Sequence, residues 1–394
     1  MKTFLCLIIA IASALWNYVD WSFSLSFVLA CTISAINMPR IIRLVKKHKL
    51  LDQPDERKKH KMPIPTMGGI GIYVGMMSST IIMLAFHFDL QILSVLLAIS
   101  ILFFSGIKDD ISDLSPKTKF GLQFLAAILV CTFGGIRLVS LHGILGFYEL
   151  SIPMQYIFST FLIVGITNAF NLIDGIDGLA GGIAMINALI MGFLLGEFNA
   201  SNFALIAFTL AGAILGFLYF NFSPAKIFMG DTGSLFIGFL LAILGMKTVT
   251  SGFESYHSLM NTNQLILVFG ILLLPVFDTL RLFISRILKK QSPFSADNSH
   301  VHHLLLKIGL NHKKATITLY IINVLLILFA FSLGQSNLNI NISLVLLFSV
   351  AMLLFEFFSI KRIMGFRLRI NANFNTLQKI SDENNLLAKR LEEL

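Results

Sequence analysis

Asp109 and Asp110 stand side by side, Asp174 and Asp177 lie three residues apart, and Asp231 sits between Gly230 and Thr232. Adjacent carboxylates repel one another unless a cation lies near, so the first pair is a poor choice for a simple solvated loop cap. Three-residue spacing puts Asp174 and Asp177 on one face if NAFNLIDGIDGLAGG (168–182) is helical there. The glycines around them point to close backbone approach or a positive φ. A glycine-rich turn needs neither two aspartates nor Asn168 and Asn171 beside them, and this stretch reads as a binding site. Asp231 is a hard-oxygen donor suited to Mg²⁺, which takes few carboxylates together with phosphate oxygens and water. Lys117 and Lys119 follow the first pair and could neutralise it or bind an anionic ligand. His300, His302 and His303 form the last cluster, with Asp297 before them and Lys307 after. H-x-H-H on one short segment without cysteine is a poor tetrahedral zinc site, and imidazoles with lysines suit phosphate better. Carboxylates, lysines and histidines around a polyanion held through a divalent metal fit phosphoryl transfer. That chemistry depends chiefly on positioning and charge neutralisation.

The elements that must position these groups are apolar. The chain has 394 residues, 56% hydrophobic and 13% charged, where a soluble domain carries roughly a quarter charged residues. Apolar runs long enough to cross a bilayer, about 17–25 residues, lie near 22–38, 66–87, 90–107, 120–138, 154–170, 179–196, 203–220, 234–250, 264–284, 317–334 and 341–359. The reading is an all-α polytopic integral membrane protein with about eleven transmembrane helices. Thirty-seven phenylalanines suit its lipid-facing and packing surfaces. Cys6, Cys31 and Cys131 fall in apolar runs without C-x-x-C spacing and read as packing residues.

The net charge of +9 does not indicate nucleic acid, because of where the charge lies. Lys and Arg gather in 40–61, 108–119 and 281–314, whereas HFDLQ (87–91) and GEFNASN (196–202) have none. The two sets alternate along the chain, and the positive-inside rule places the basic loops and the C-terminus in the cytoplasm. FSGIKDDISDLSPKTKF (104–120), NLIDGIDGLAGG, NFSPAKIFMGDTGS (221–234) and SPFSADNSHVHHLLLKIG (292–309) then share that one face. An active site facing the cytoplasm at a membrane surface suggests a lipid as one substrate.

Three segments divide the chain: residues 1–21, 22–360 and 361–394. The first, beginning MKTFLCLIIAIASALW, resembles a signal peptide, and the favoured reading is an uncleaved membrane segment. The second is the transmembrane catalytic domain. The third begins basic and ends with Leu377, Ile380, Asn384, Leu387, Leu391 and Leu394 at a–d spacing. A short coiled coil and an amphipathic helix on the membrane surface fit that pattern equally.

The motifs together resemble the polyprenyl-phosphate N-acetylhexosamine-1-phosphate transferases, the superfamily that includes phospho-MurNAc-pentapeptide translocase. PTMGGI (65–70), DDISDLSPKTKFGLQ (109–123), NAFNLIDGIDGLAGG, NFSPAKIFMGDTGS, PVFDTLRLFISRI (275–287) and SPFSADNSHVHH (292–303) stand in family order. The resemblance implies that a cytoplasmic UDP-sugar gives its sugar 1-phosphate to undecaprenyl phosphate in the bacterial inner membrane, releasing UMP, with Mg²⁺ required and Mn²⁺ an alternative. It implies catalytic roles for Asp109, Asp110, Asp174, Asp177, His302 and His303. Asp109 would deprotonate or orient the lipid phosphate. Asp231, with Asp174, would hold the metal. Lys119, Asn168, Asn171, Asn221, Phe228, His300 and Thr66 would contact substrate. The product would enter a cell-envelope polysaccharide of O-antigen, teichoic acid or capsule type, and the family resemblance with the tail pattern implies a homodimer.

H-x-H-H after SPFSAD is closer to the N-acetylhexosamine branch than to the translocase, which carries three consecutive histidines. N-acetylglucosamine is the expected sugar. Asn298 departs from the basic residue that the family often has after the aspartate of SPFSxD. The other readings are a translocase-like enzyme of peptidoglycan synthesis, an inactive homologue, and a transporter. Transporters typically place such carboxylates near the midplane on broken helices.

Overall fold

The computed structural model describes residues 20–52, 63–85, 89–254, 264–292, 300–334, 337–351 and 354. The N-terminal segment with Cys6, residues Asp297 and Asn298, and the 375–394 tail lie outside the described residues. Each of the eleven expected spans contains a helix. In order these are α1 (Trp21–Lys47), α2 (Gly69–Met83), α3 (Leu90–Ser112), α4 (Pro116–Thr132), α5 (Ile152–Ile173), α6 (Leu179–Glu197), α7 (Ser201–Asn221), α8 (Asp231–Glu254) and α9 (Gln264–Leu288). They continue with a short extra helix α10 (Val301–Lys307), then α11 (His312–Ser332) and α12 (Leu338–Ala351). Eight are long and apolar enough to cross a membrane. The chain is a multi-pass membrane protein.

Apart from α10, the other three, α2, α4 and α12, are shorter. At 1.5 Å per residue, the 15 residues of α2 extend only ~22 Å, against a hydrocarbon core of about 30 Å. The cause is local. Residues 65–68 stay out of the helix, and with Gly69, its first residue, they pair with the chain before α8: Phe228 N–H donates to Pro65 O (2.8 Å), Gly68 N–H to Phe228 O (2.8 Å) and Gly69 N–H to Met229 O (2.9 Å). Two antiparallel strand pairs, β1 (Leu51–Asp52) with β2 (Ile64–Pro65) and β3 (Ser140–Ile144) with β4 (Phe147–Glu149), complete the described structure.

Helix starts follow ordinary capping chemistry. Asp89 Oδ1 accepts Ile92 N–H at 2.8 Å, Ser115 Oγ accepts Thr118 N–H at 3.2 Å ahead of Pro116, and Asn311 Oδ1 accepts Lys314 N–H at 2.9 Å. α8 runs through the middle of the bundle, packed by α2, α3, α5, α6 and α9. Its Phe236, Phe239 and Leu240 are fully buried, whereas Leu125, Phe161 and Leu328 on the outer helices are exposed, as lipid-facing side chains are. Cys31 and Cys131 are buried free thiols, as expected.

One buried polar network ties the far side of the bundle together. Pro275 within α9 has no N–H to give the carbonyl of Ile271, four residues earlier. Asn187 of α6 supplies the missing donor at 2.8 Å, and Asn323 of α11 donates to Asn187 Oδ1 at 2.8 Å. With no water in a bilayer core, such groups must be satisfied internally. This chain of amides fixes α11 beside α6 and α9.

Candidate active site

The C-terminal ends of α3, α5, α7 and α9 and the N-terminal ends of α4, α6, α8 and α11 meet at one end of the bundle. Asp231 opens the central helix α8. The carboxylate of Asp110 accepts the N–H of Asp231 (2.9 Å), the N–H of Thr232 (3.0 Å) and the hydroxyl of Thr232 (2.5 Å). Both its oxygens therefore cap α8, where the free N–H groups and the helix dipole favour an anion. Asp109 turns away from this cap. Its Oδ1 accepts Leu114 N–H at 2.6 Å and its Oδ2 accepts the Lys119 ammonium at 2.9 Å. The same ammonium pairs with Asp231 Oδ2. Asn171 Nδ2 donates to Asp231 Oδ1 (2.8 Å) and Ser234 Oγ (2.7 Å). Lys119 thus links two carboxylates, and Asn171 steadies one of them.

Asp174 ends α5, and its carboxylate has no hydrogen-bond partner among the described residues. Burial, then the negative charges of Asp231 and Asp110, push its pKa up to about 7. Of the four carboxylates Asp109, Asp110, Asp174 and Asp231, only Asp109 and Asp231 meet the Lys119 ammonium. No three His, Cys, Asp or Glu side chains converge into a cage for a metal among the described residues. That donor set suits Mg²⁺ or Mn²⁺, hard ions; Mg²⁺ usually keeps several waters and takes one or two carboxylates plus substrate phosphates.

The turn that follows carries Asp177, which is largely buried. Burial favours its neutral form, but His312 and the N–H of Ala225 outweigh that and hold the carboxyl below the usual range. Asp177 Oδ2 accepts Ala225 N–H at 3.2 Å, and His312 Nδ1 lies 3.1 Å from Oδ1. The positive φ anticipated for this stretch falls at Gly178, at 76°.

The histidines approach from the opposite side. Asp278 of α9 receives His300 Nδ1 at 2.9 Å, Val301 N–H at 3.1 Å and Arg281 Nη2 at 2.9 Å, and so caps α10 and orients its first histidine. His302 is buried, stacked on His300 with ring centroids 5.5 Å apart, and lies against Gly175. A methyl group at Gly175 would fall 2.1 Å from His302 Nε2, so any side chain there would have to displace the imidazole. Both ring nitrogens of His302 lack a hydrogen-bond partner among the described residues. Burial, then His303 and His300, pull its pKa down to about 3. His302 is a neutral imidazole facing the acidic turn, with one N–H to donate and one nitrogen to accept.

Residues 92–249 match the glycosyl transferase family 4 model. The probable undecaprenyl-phosphate N-acetylglucosaminyl 1-phosphate transferase of Bacillus subtilis is 34% identical over 298 residues, 75% of this chain and 81% of the relative. The undecaprenyl-phosphate alpha-N-acetylglucosaminyl 1-phosphate transferase of Escherichia coli is 31% identical over 80% of this chain and 85% of its own length. The decaprenyl-phosphate N-acetylglucosaminephosphotransferase of Mycolicibacterium smegmatis is 33% identical, covering 68% and 71%. The chain belongs to the polyprenyl-phosphate N-acetylhexosamine-1-phosphate transferase family.

Within this transferase bundle the residues singled out by sequence divide into two sets, apart from Asp177 and His300, engaged as described, and His303, whose ring lies against His302 with centroids 4.3 Å apart. Asp109, Lys119, Asn171, Asp174, Asp231 and His302 surround the site with their functional groups. Others support it. Asn168 Nδ2 donates to Gln123 Oε1 (2.6 Å) and Val164 O (2.8 Å). Asn221 is buried, accepts Gly178 N–H (2.9 Å) and donates to Ile227 O (2.8 Å). Phe228 engages PTMGG through its backbone, and the Thr66 hydroxyl reaches Leu50 O at 3.4 Å. Asp110 belongs with these supports, since its carboxylate caps α8. Replacing Asp110 with Ala is expected to lower the melting temperature as well as turnover, whereas Asn, which keeps one acceptor oxygen, restores part of both. Loss of a cap costs about 1 kcal/mol, and thermal unfolding beside an activity assay checks it. Three contributors went unnamed in the sequence reading: Gln123, Asp278 and His312. The one available signal was a lone acid in the apolar run PVFDTLRLF.

Proposed function

We propose that this protein transfers N-acetylglucosamine 1-phosphate from UDP-N-acetylglucosamine to undecaprenyl phosphate at the cytoplasmic face of a bacterial inner membrane, releasing UMP. The observation that carries this reading is the Lys119 bridge between Asp109 and Asp231, with Asp174, whose carboxylate has no hydrogen-bond partner among the described residues, near enough to feel the charge of Asp231. In this reading the start of the most central helix would receive the phosphate groups and a divalent cation. The relatives' names supply the sugar and the lipid. The basic loops at the same end of the bundle support the cytoplasmic orientation.

In this reading the lipid phosphate oxygen attacks the β-phosphorus of the donor. The bond between that phosphorus and the bridging oxygen breaks, and UMP leaves with the α-phosphate. Asp231 and Asp174 would hold Mg²⁺, which supplies charge neutralisation for the diphosphate. Lys119 binds the lipid phosphate. A phosphate monoester has a second pKa near 6, so at neutral pH most of the acceptor is already a dianion. Asp109 therefore serves mainly to orient Lys119 and the acceptor, and it accepts a proton only from the monoanionic fraction. The neutral His302 donates a hydrogen bond to the diphosphate or the sugar. An apolar cavity of about 230 Å³ between α5, α8 and α9, bordered by Ile166, Ala242, Leu272 and Val276, offers room for part of the polyprenyl chain. Its edge at Ile166 lies eight residues before Asp174, about 12 Å deeper along α5.

The experiment is UMP release by purified protein from a panel of UDP-sugars, with undecaprenyl phosphate and Mg²⁺. Release with UDP-N-acetylglucosamine is the expected result. Release only with another UDP-N-acetylhexosamine would move the pathway, and release only with the MurNAc-pentapeptide donor would move the protein to the translocase branch. No release from folded protein with any donor would overturn the reaction.

A further inference from the structure

α11 carries a polar stripe on an apolar helix. His312, Thr316, Tyr320 and Asn323 recur at four-, four- and three-residue intervals, which sets them on one face. All four bond toward the acidic turn and the helix after it. His312 Nδ1 lies 3.1 Å from Asp177 Oδ1, and Thr316 Oγ1 donates to Asp177 O at 2.8 Å. Tyr320 donates its hydroxyl to Gly178 O, and Asn323 reaches Asn187 of α6. An apolar environment penalises unpaired polar groups by several kcal/mol, and in this register His312, Thr316, Tyr320 and the amide nitrogen of Asn323 all find partners.

The turn 174–178 is thus held from two directions. His302 of α10 closes on Gly175, while α11 fixes Asp177 and Gly178. Lys119 and Asp109 stand on the other side, on α4 and α3. The site has an acceptor half built on α3 and α4 and a donor half built on α10 and α11, with Asp231 and Asp174 between them.

We propose that His312 is a positioning residue of the donor half: through Asp177 it sets the turn that receives the nucleotide sugar, without touching the reacting phosphates. This inference rests on the reaction proposed above. A purely structural His312 would lower stability and leave both Michaelis constants alone, or shift them together. A positioning residue shifts the donor constant selectively.

The test measures kcat and the two KM values, for UDP-N-acetylglucosamine and for undecaprenyl phosphate, with His312→Ala and His312→Asn. The side-chain nitrogen of Asn can occupy nearly the place of Nδ1. The Ala variant is expected to raise the donor KM about tenfold, equivalent to about 1.4 kcal/mol. The lipid KM should stay within about twofold, and Asn should recover most of the loss. Tyr320→Phe, which removes a single hydroxyl, serves if the Ala variant does not fold, and it should shift the donor KM in the same direction. An unchanged donor KM in a folded Ala variant, equal shifts in both constants, or identical behaviour of Ala and Asn would overturn the assignment. Wild-type protein that turns over no UDP-sugar would instead remove the reaction itself, and the role of His312 with it.

Discussion

Replacing Asp231 with Asn is expected to reduce turnover on the order of 10³-fold while the protein still folds. The size follows from the position. Removing one preorganised group that faces developing charge costs about 10²–10³ in rate, and Asp231 in this account both faces the metal and anchors Lys119. The fold should survive because Asp110, not Asp231, caps α8. An amide at 231 still offers Oδ1 to Asn171, but its other end no longer attracts the Lys119 ammonium. UMP release, compared with size-exclusion behaviour and melting temperature, checks both parts. Activity within tenfold of wild type would remove Asp231 from the metal site.

Raising the pH through 7 is expected to strengthen the stabilisation of the resting protein by Mg²⁺, and Asp174→Asn is expected to flatten that dependence. Asp174 has its pKa pushed up to about 7 by burial and by Asp231 and Asp110. The folded protein therefore holds a proton that the unfolded chain releases near 3.9. Between these values the native state binds more protons than the unfolded state, and this group's contribution to stability falls as pH rises. Above pH 7 the ionised carboxylate adds to an already negative cluster, and a divalent cation offsets that repulsion. The shift in melting temperature on adding millimolar Mg²⁺ should be small at pH 6 and larger at pH 8. Asp174→Asn should show little Mg²⁺ effect at either pH, and higher stability than wild type at pH 8 without metal. A wild-type Mg²⁺ shift that is the same at both pH values would contradict Asp174 as the ligand.

The helices were legible because an apolar run of bilayer length has few alternatives to a helix in lipid. Even the three short ones fall where hydropathy puts them. The shortening of α2 was not legible, since it comes from main-chain pairing between PTMGG and residues 228–229, about 160 positions away in sequence. The convergence of the acids at one end followed from the alternation of basic loops. Their division of labour did not. Asp109 and Asp110 are neighbours of the same type, yet one holds Lys119 and the other holds the backbone of α8. Sequence records that an oxygen is present, not which N–H it will meet. Asn168 and Asn221 show the same limit: both lie in the right motifs, and both are occupied by supporting hydrogen bonds. His312 was hidden for a different reason. It sits in NHKK, where the adjoining lysines make the stretch look like another basic loop.

The central claim is that a sugar phosphate, not a sugar alone, moves to the lipid. The most direct measurement supplies UDP-N-acetylglucosamine labelled in the β-phosphate to purified protein with undecaprenyl phosphate and Mg²⁺, then follows the label. The expected result is label in a lipid diphosphate carrying the sugar, with unlabelled UMP released in equal amount. Label leaving in UDP while the lipid gains only the sugar would contradict the account.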